Sequence, residues 1–255
     1  MDTGLDLFSL AGRTAIVTGC NTGLGRARAL GLAEAGADIV GINRSDPAGL
    51  QEELATRGRR YFDLRADLSA SDGAEALIER AAGLSGRIDI LVNNAGIIRR
   101  RSAIDFTERD WDDVMALNLR AVFQLSQAAA RRIVAQGGGG KIINVASMLS
   151  FQGGLRVASY TASKSGVLGL TRALANEWAP LGINVNAIAP GYMSTNNTAE
   201  LRADAERNDA ILGRIPAGRW GAGADLAGAA VFLASRASDY VHGHTLAVDG
   251  GWLGR

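Results

Sequence analysis

Thr14-Ala15-Ile16-Val17-Thr18-Gly19-Cys20-Asn21-Thr22-Gly23-Leu24-Gly25 is the stretch on which the fold turns. Residues 14–18 are apolar or β-branched and read as a buried strand. A glycine-rich turn follows, then a helical run over 26–35. A strand, a tight turn and a helix N-terminus together aim backbone amides and a favourable dipole at one point, which suits a pyrophosphate. Gly19, Gly23 and Gly25 let the chain approach such a group closely, and Asn21, Thr22 and Leu24 lie between them as candidate contacts. The spacing is Gly-x-x-x-Gly-x-Gly rather than Gly-x-Gly-x-x-Gly.

Working outward, β-rich runs recur at 38–42, 88–92, 141–145, 183–188 and 245–248, with a weaker one at 61–66. Helical stretches lie between them. Near-continuous apolar strands alternating with helices predict a parallel sheet covered on both faces, an α/β doubly wound fold. No internal repeat or long linker interrupts 1–255, so one domain is expected. Gly137 to Gly140 reads as a loop from a helix into a strand. Thr107 and Asp110 read as a helix N-cap and its partner. The next helix carries Trp111, Val114, Met115 and Leu119 as an apolar stripe, with Asp110, Asp112 and Asp113 on a solvated face.

Composition narrows the function. The chain has 255 residues, 47% hydrophobic and 21% charged, with a net charge of +1. That charge gives no field to draw nucleic acid or an anionic membrane. No window approaches the ~18 apolar residues of a membrane span. The start, Met1 to Asp6, is acidic and lacks the basic opening of a secretory signal. Cys20 is the sole cysteine, which fits a reducing cytoplasm. With only His242 and His244 beside it, no metal site is expected and a Ser-His-Asp hydrolase is disfavoured.

Tyr160 and Lys164 stand four residues apart, on one face of a helix. A free tyrosine titrates near pH ~10, and a nearby positive charge favours its phenolate. The pair can therefore serve as a proton-transfer catalyst.

The turn, Asn93-Asn94-Ala95-Gly96, Tyr160-x-x-x-Lys164 and Pro190-Gly191 occur in the order of the short-chain dehydrogenase/reductase family, and the resemblance covers about residues 8 to 255. It implies a seven-stranded Rossmann-type sheet binding NAD(H) or NADP(H). It also implies a tetrad. Tyr160 acts as general acid or base, and Ser147 holds the substrate oxygen. Lys164 lowers the Tyr160 pKa and binds the nicotinamide ribose, and Asn118 anchors a water. On the cofactor, the resemblance assigns Asp67 and Leu68 to the adenine end. Asn94, Ala95 and Gly96 line the middle. Pro190, Gly191 and Thr195 take the nicotinamide end, and Asn93 steadies the sheet. Val248-Asp249-Gly250-Gly251 resembles the family's C-terminal turn at the usual homotetramer interface.

The residues leave NAD and NADP open. Asn43 stands where an acid would repel a 2′-phosphate, and Arg44 beside it is able to pair with one. Further segments, including Ile97-Ile98-Arg99-Arg100, 146–154 and 190–198, resemble bacterial 2-dehydro-3-deoxy-D-gluconate 5-dehydrogenases, also called 2-deoxy-D-gluconate 3-dehydrogenases. That points to NAD and to a C6 sugar acid. An arginine holds a carboxylate with two parallel bonds. Arg99, Arg100 and Arg156 are the candidates, with Met148, Tyr192 and Asn197 as further substrate contacts. Residues 192–215 are expected to form a flap with a helical lid. The alternatives are a gluconate 5-dehydrogenase or other ketone reductase, and, from another class, a nucleotide-sensing binding protein.

Overall fold

The β-branched run at residues 14–18 becomes the centre of the sheet, because every one of its residues is buried. The computed structural model describes residues 4–70 and 73–255, so Met1 to Thr3 of the acidic start lie outside the described residues. In chain order the elements are β1 (Thr14–Thr18), α1 (Gly23–Glu34), β2 (Asp38–Asn43), α2 (Leu50–Thr56), β3 (Tyr61–Arg65), α3 (Ala74–Ser85) and β4 (Ile90–Asn93). There follow α4 (Glu108–Met115), α5 (Ala121–Gln136), β5 (Gly140–Val145), α6 (Ala158–Trp178) and β6 (Ile183–Pro190). Last come α7 (Ala199–Ala203), α8 (Ala205–Leu212), α9 (Ala227–Ala234) and β7 (Thr245–Val248).

Among the described residues the seven strands are all parallel, in the order β3-β2-β1-β4-β5-β6-β7. The chain first winds outward from β1 to β3, then returns to place β4 on the other side of β1. The crevice at that reversal, beyond the strands' C-terminal ends, is where ligands bind in such sheets. One core packs α1 and α9 on one face through Leu32, Ala230 and Leu233. The other packs α3, α5 and α6 through Ile78, Leu125, Ile133 and Leu174.

Some local readings shift. The predicted strand 88–92 starts only at Ile90, because the Ile88 amide is drawn to the Gln136 side chain. Asp89 is drawn to Arg13 and Arg87. Trp111 is a correction: it is 40% exposed and on the surface, not in the core. Helix α4 runs straight into a π turn at Ala116–Arg120, which rotates the apolar stripe. Asp110 and Asp113 are not simply solvated, since Arg99 and Arg101 pair with them.

Asn118 sits in that π turn, fully buried. Its carboxamide clamps one residue of the loop after β4: Oδ1 accepts the Ile97 amide at 2.9 Å and Nδ2 donates to the Ile97 carbonyl at 2.9 Å. Nδ2 also reaches Ser163 Oγ on α6 at 3.3 Å. Asn118→Leu leaves both backbone groups without partners, and each such loss costs about 1–3 kcal/mol. We expect urea unfolding to report a loss of roughly 2–5 kcal/mol for this variant.

Candidate active site

The C-terminal ends of β1, β4, β5 and β6 open into one cleft of about 1560 Å³. That exceeds the roughly 300–1,000 Å³ of a single small-molecule pocket, so the cleft has room for a dinucleotide and a substrate side by side.

The glycine turn forms its floor. A Cβ on Gly25 would stand 2.1 Å from the Gly19 carbonyl, so only glycine lets α1 seat against the turn. Gly23 has φ +55° and its missing Cβ would meet nothing within 4 Å. That open space lies at the first residue of α1, where amides face an anion. Asn94 fixes the turn from β4, its Nδ2 donating to the carbonyls of Thr18 and Gly19. Ala95 and Gly96 follow along the cleft wall, as do Asn21, Thr22 and Leu24 on the turn. Asp67 and Leu68 lie at the far end, where the Ser69 hydroxyl and amide hold the Asp67 carboxylate below its usual pKa. Pro190, Gly191 and Thr195 line the opposite end. These features fit a dinucleotide.

Asn43 does not line the cleft, and the reading of it as a ribose contact is corrected. It is buried, its Oδ1 accepts the Asn21 amide, and its Nδ2 donates to Tyr61 and Asp63. The carboxamide therefore serves as internal scaffold. Arg44 and Ser45, the next two residues, do face the cleft, and Asn21 Nδ2 donates to Ser45 Oγ at 2.7 Å.

Ser147, Tyr160 and Lys164 converge on the middle of the cleft. Ser147 leaves β5 as the cap of a short turn, and its Oγ accepts the Leu149 amide at 3.1 Å. Its own hydroxyl proton is left to donate. Burial pushes the Tyr160 phenol up, and the Ser147 hydrogen bond pulls it back, with help from the charges of Arg100 and Arg28. Lys164 Nζ donates to the Val145 carbonyl at 2.6 Å and stands 5.7 Å from the Tyr160 ring centre. Burial, aided by the Arg28 charge, lowers its pKa from 10.5 to about 8. In this geometry Arg100 and Arg28 also supply charge that favours the phenolate.

The arginines separate into two groups. Arg99 is corrected: it pairs with Asp113 at 3.0 Å and does not line the cleft. Arg100 and Arg156 do line it. Arg100 Nη2 donates to the Asn197 carbonyl at 3.0 Å, tying this arginine to the flap. Arg156 adopts φ +63°, rare for a side-chain-bearing residue and often found at ligand clamps. Met148 is buried beneath Tyr192, whose ring meets Trp220 and Trp252 edge-on at 5.4 and 4.7 Å. The sequence reading missed Arg207 and Arg214, which also line the cleft. It missed Arg28 as well, although a charged residue midway between Leu24 and Leu32 on one helix face signals burial.

Residues 19–253 match the family model described as "Enoyl-(Acyl carrier protein) reductase". A 2-dehydro-3-deoxy-D-gluconate 5-dehydrogenase of Escherichia coli (strain K12) is 65% identical over 98% of this chain and 99% of its own length. The chain belongs to the short-chain dehydrogenase/reductase family. This dehydrogenase is an NAD(P)-dependent oxidoreductase, and solved relatives overlay it along nearly their whole length. A putative 2-deoxy-D-gluconate 3-dehydrogenase from Agrobacterium tumefaciens with bound NADP is 57% identical, with TM-score 0.92 over 98% of this chain and 100% of that one. A putative NAD(P)-dependent gluconate 5-dehydrogenase from Beutenbergia cavernae with bound NADP is 51% identical, with TM-score 0.93 over 98% and 100%. Among the described residues, no helix is long and apolar enough to cross a membrane.

Proposed function

We propose that this dehydrogenase oxidises and reduces a C6 sugar acid of the 2-deoxy-D-gluconate or 2-dehydro-3-deoxy-D-gluconate type, taking NADP through Arg44. The observation that carries the substrate reading is that Arg100 and Arg156 line the same cleft as Ser147, Tyr160 and Lys164. A carboxylate held by either guanidinium leaves the rest of the sugar chain over Tyr160. The relatives' names support the same class, and the 65% relative carries the dehydro-deoxy-gluconate name rather than the gluconate one. Bound cofactor supplies the hydride acceptor or donor.

The chain's own residues handle the proton. Ser147 Oγ donates to the substrate oxygen and fixes it beside the phenol. Tyr160 Oη takes the hydroxyl proton during oxidation and returns it during reduction. Lys164 would hold the cofactor's ribose and keep a positive charge beside the Tyr160 ring. Asn118 holds the β4 loop and the π turn around a water leading to solvent. Residues 192–215 act as the flap, with α7 and α8 as its lid, Arg100 as its latch on the Asn197 carbonyl, and Thr195 against the carboxamide. The assembly is read as a cytoplasmic homotetramer. The sole cysteine, Cys20, has no partner for an internal disulfide, which supports a reducing compartment. Exposed Phe123 and Val134 on α5 support a subunit contact, and light scattering after gel filtration tests it.

Two sets of variants test the proposal. Arg100→Gln and Arg156→Gln are each expected to raise KM for the sugar acid about 10–100-fold, the worth of a charge-assisted pair of roughly 1.5–3 kcal/mol. Arg156→Gln should not slow an uncharged polyol of the same length, whereas Arg100→Gln also removes a charge that favours the Tyr160 phenolate and should slow both. Unchanged KM in both variants would remove the acid from the substrate reading. Arg44→Ala is expected to raise KM for NADP about tenfold and leave NAD alone. An equal effect on both cofactors argues against a 2′-phosphate contact.

A further inference from the structure

We infer that Arg28 is a ligand of the dinucleotide's diphosphate, a side-chain donor added to the backbone amides at the start of α1. Its side chain is fully buried. Helical Cβ bonds tilt toward the N-terminus, so a long side chain at this position runs back toward the glycine turn. Nη1 donates to Asn94 Oδ1 at 2.5 Å. The same Asn94 amide has its Nδ2 2.4 Å from where a Cβ on Gly25 would be. The guanidinium therefore lies at the level of the first turn of α1, and the residue lines the cleft.

Two of its three nitrogens, Nε and Nη2, are buried without any acceptor. No carboxylate among the described residues pairs with it; its single hydrogen-bond partner is the neutral Asn94, and the Tyr160 phenol lies within electrostatic reach. Burial lowers its pKa only to about 10, so it is charged at neutral pH. A buried cation with open donors calls for an anion. The dinucleotide offers two. The 2′-phosphate belongs beside Arg44 and Ser45, after β2. The diphosphate belongs at the α1 N-terminus, next to the guanidinium. Its charge also favours the Tyr160 phenolate, but that phenol leaves Nε and Nη2 without an acceptor, so the open fork is free for the diphosphate.

The test is equilibrium binding to purified protein, with no turnover required. NADP+, NADPH, ADP-ribose and adenosine 2′-monophosphate are titrated against wild type, Arg28→Met and Arg28→Lys, and melting is followed without ligand. We expect Arg28→Met to weaken the three diphosphate-bearing ligands by about 10–100-fold, the range of charge-assisted pairs. Adenosine 2′-monophosphate should bind as before. Arg28→Lys, which keeps charge but not the fork, should fall between. The ligand-free Met variant should melt no lower than wild type, because an unpaired buried charge has been removed. Unchanged affinity for ADP-ribose in both variants would overturn the assignment. So would a loss confined to NADPH or NADP+, which would place the charge at the nicotinamide. A drop in melting temperature for both variants with ADP-ribose affinity intact would make Arg28 a strut for Asn94.

Discussion

Tyr160→Phe is expected to lower kcat by about 10²–10⁴-fold, the usual contribution of a positioned acid or base, while cofactor affinity stays within about threefold. The change removes one oxygen and leaves the ring, which packs at the cleft floor beside Lys164. Nothing then takes the hydroxyl proton as the carbon loses hydride. Burial raises the phenol, whereas Ser147, Arg100 and Arg28 lower it. Ser147→Ala should therefore also move the acidic limb of the pH–rate profile for oxidation upward, because a bond favouring the phenolate is gone. Stopped-flow rates and fluorescence titration of cofactor check both statements. A Phe variant with more than a tenth of wild-type kcat would take the phenol out of the chemistry.

Lys164→Met is expected to separate function from stability. Turnover should fall by about 10²-fold or more, yet the ligand-free protein should become more stable at pH 7. Lys164 is buried, and its pKa drops from 10.5 to about 8. Between those two values the unfolded chain binds a proton that the native chain does not, so this group's contribution to stability rises with pH across the window. Below pH 8 the full penalty is present. Methionine removes it, which for buried charges is worth about 1–4 kcal/mol. The lost bond to the Val145 carbonyl offsets about 1 kcal/mol of that gain. Denaturant curves at pH 7 and pH 10.5 check the sign. The Met variant should lead at pH 7, and the gap should narrow at the higher pH. A Met variant less stable at pH 7 would mean that the lysine's hydrogen bond outweighs its desolvation. Sites tuned for chemistry commonly hold such destabilising groups.

Where backbone pattern decides, the sequence was a reliable guide. Residues 14–18 form a strand with the bounds read from them, because a run buried on both faces carries its own signature; 245–248 keep theirs too, although they are only partly buried at the sheet edge. Tyr160 and Lys164 were read from their spacing on one helix face and Ser147 from the family resemblance, and the three line one cleft. Misreadings arose where a side chain's partner lies far along the chain. Asn43 was read as a ribose contact, but Tyr61 and Asp63 on the neighbouring strand claim its amide. Arg99 was read as a carboxylate clamp, but Asp113 on α4 holds it. Trp111 follows a helical period that a π turn then breaks, and no residue type announces such a turn. Arg28 was visible as a charge on an apolar stripe, though its two open nitrogens belong to tertiary geometry alone.

The most direct test of the central claim is a set of initial rates, read from reduced nicotinamide, with NADP and NAD separately. The substrates are 2-deoxy-D-gluconate and D-gluconate for oxidation, and 2-dehydro-3-deoxy-D-gluconate with the matching keto acids in both directions. The account predicts turnover on the deoxy or dehydro-deoxy acid with kcat/KM at least about tenfold above that on D-gluconate, a difference of roughly 1.4 kcal/mol in transition-state binding. It also predicts that NADP is preferred. No turnover on any sugar acid, with NADP still binding in the same preparation, would contradict it.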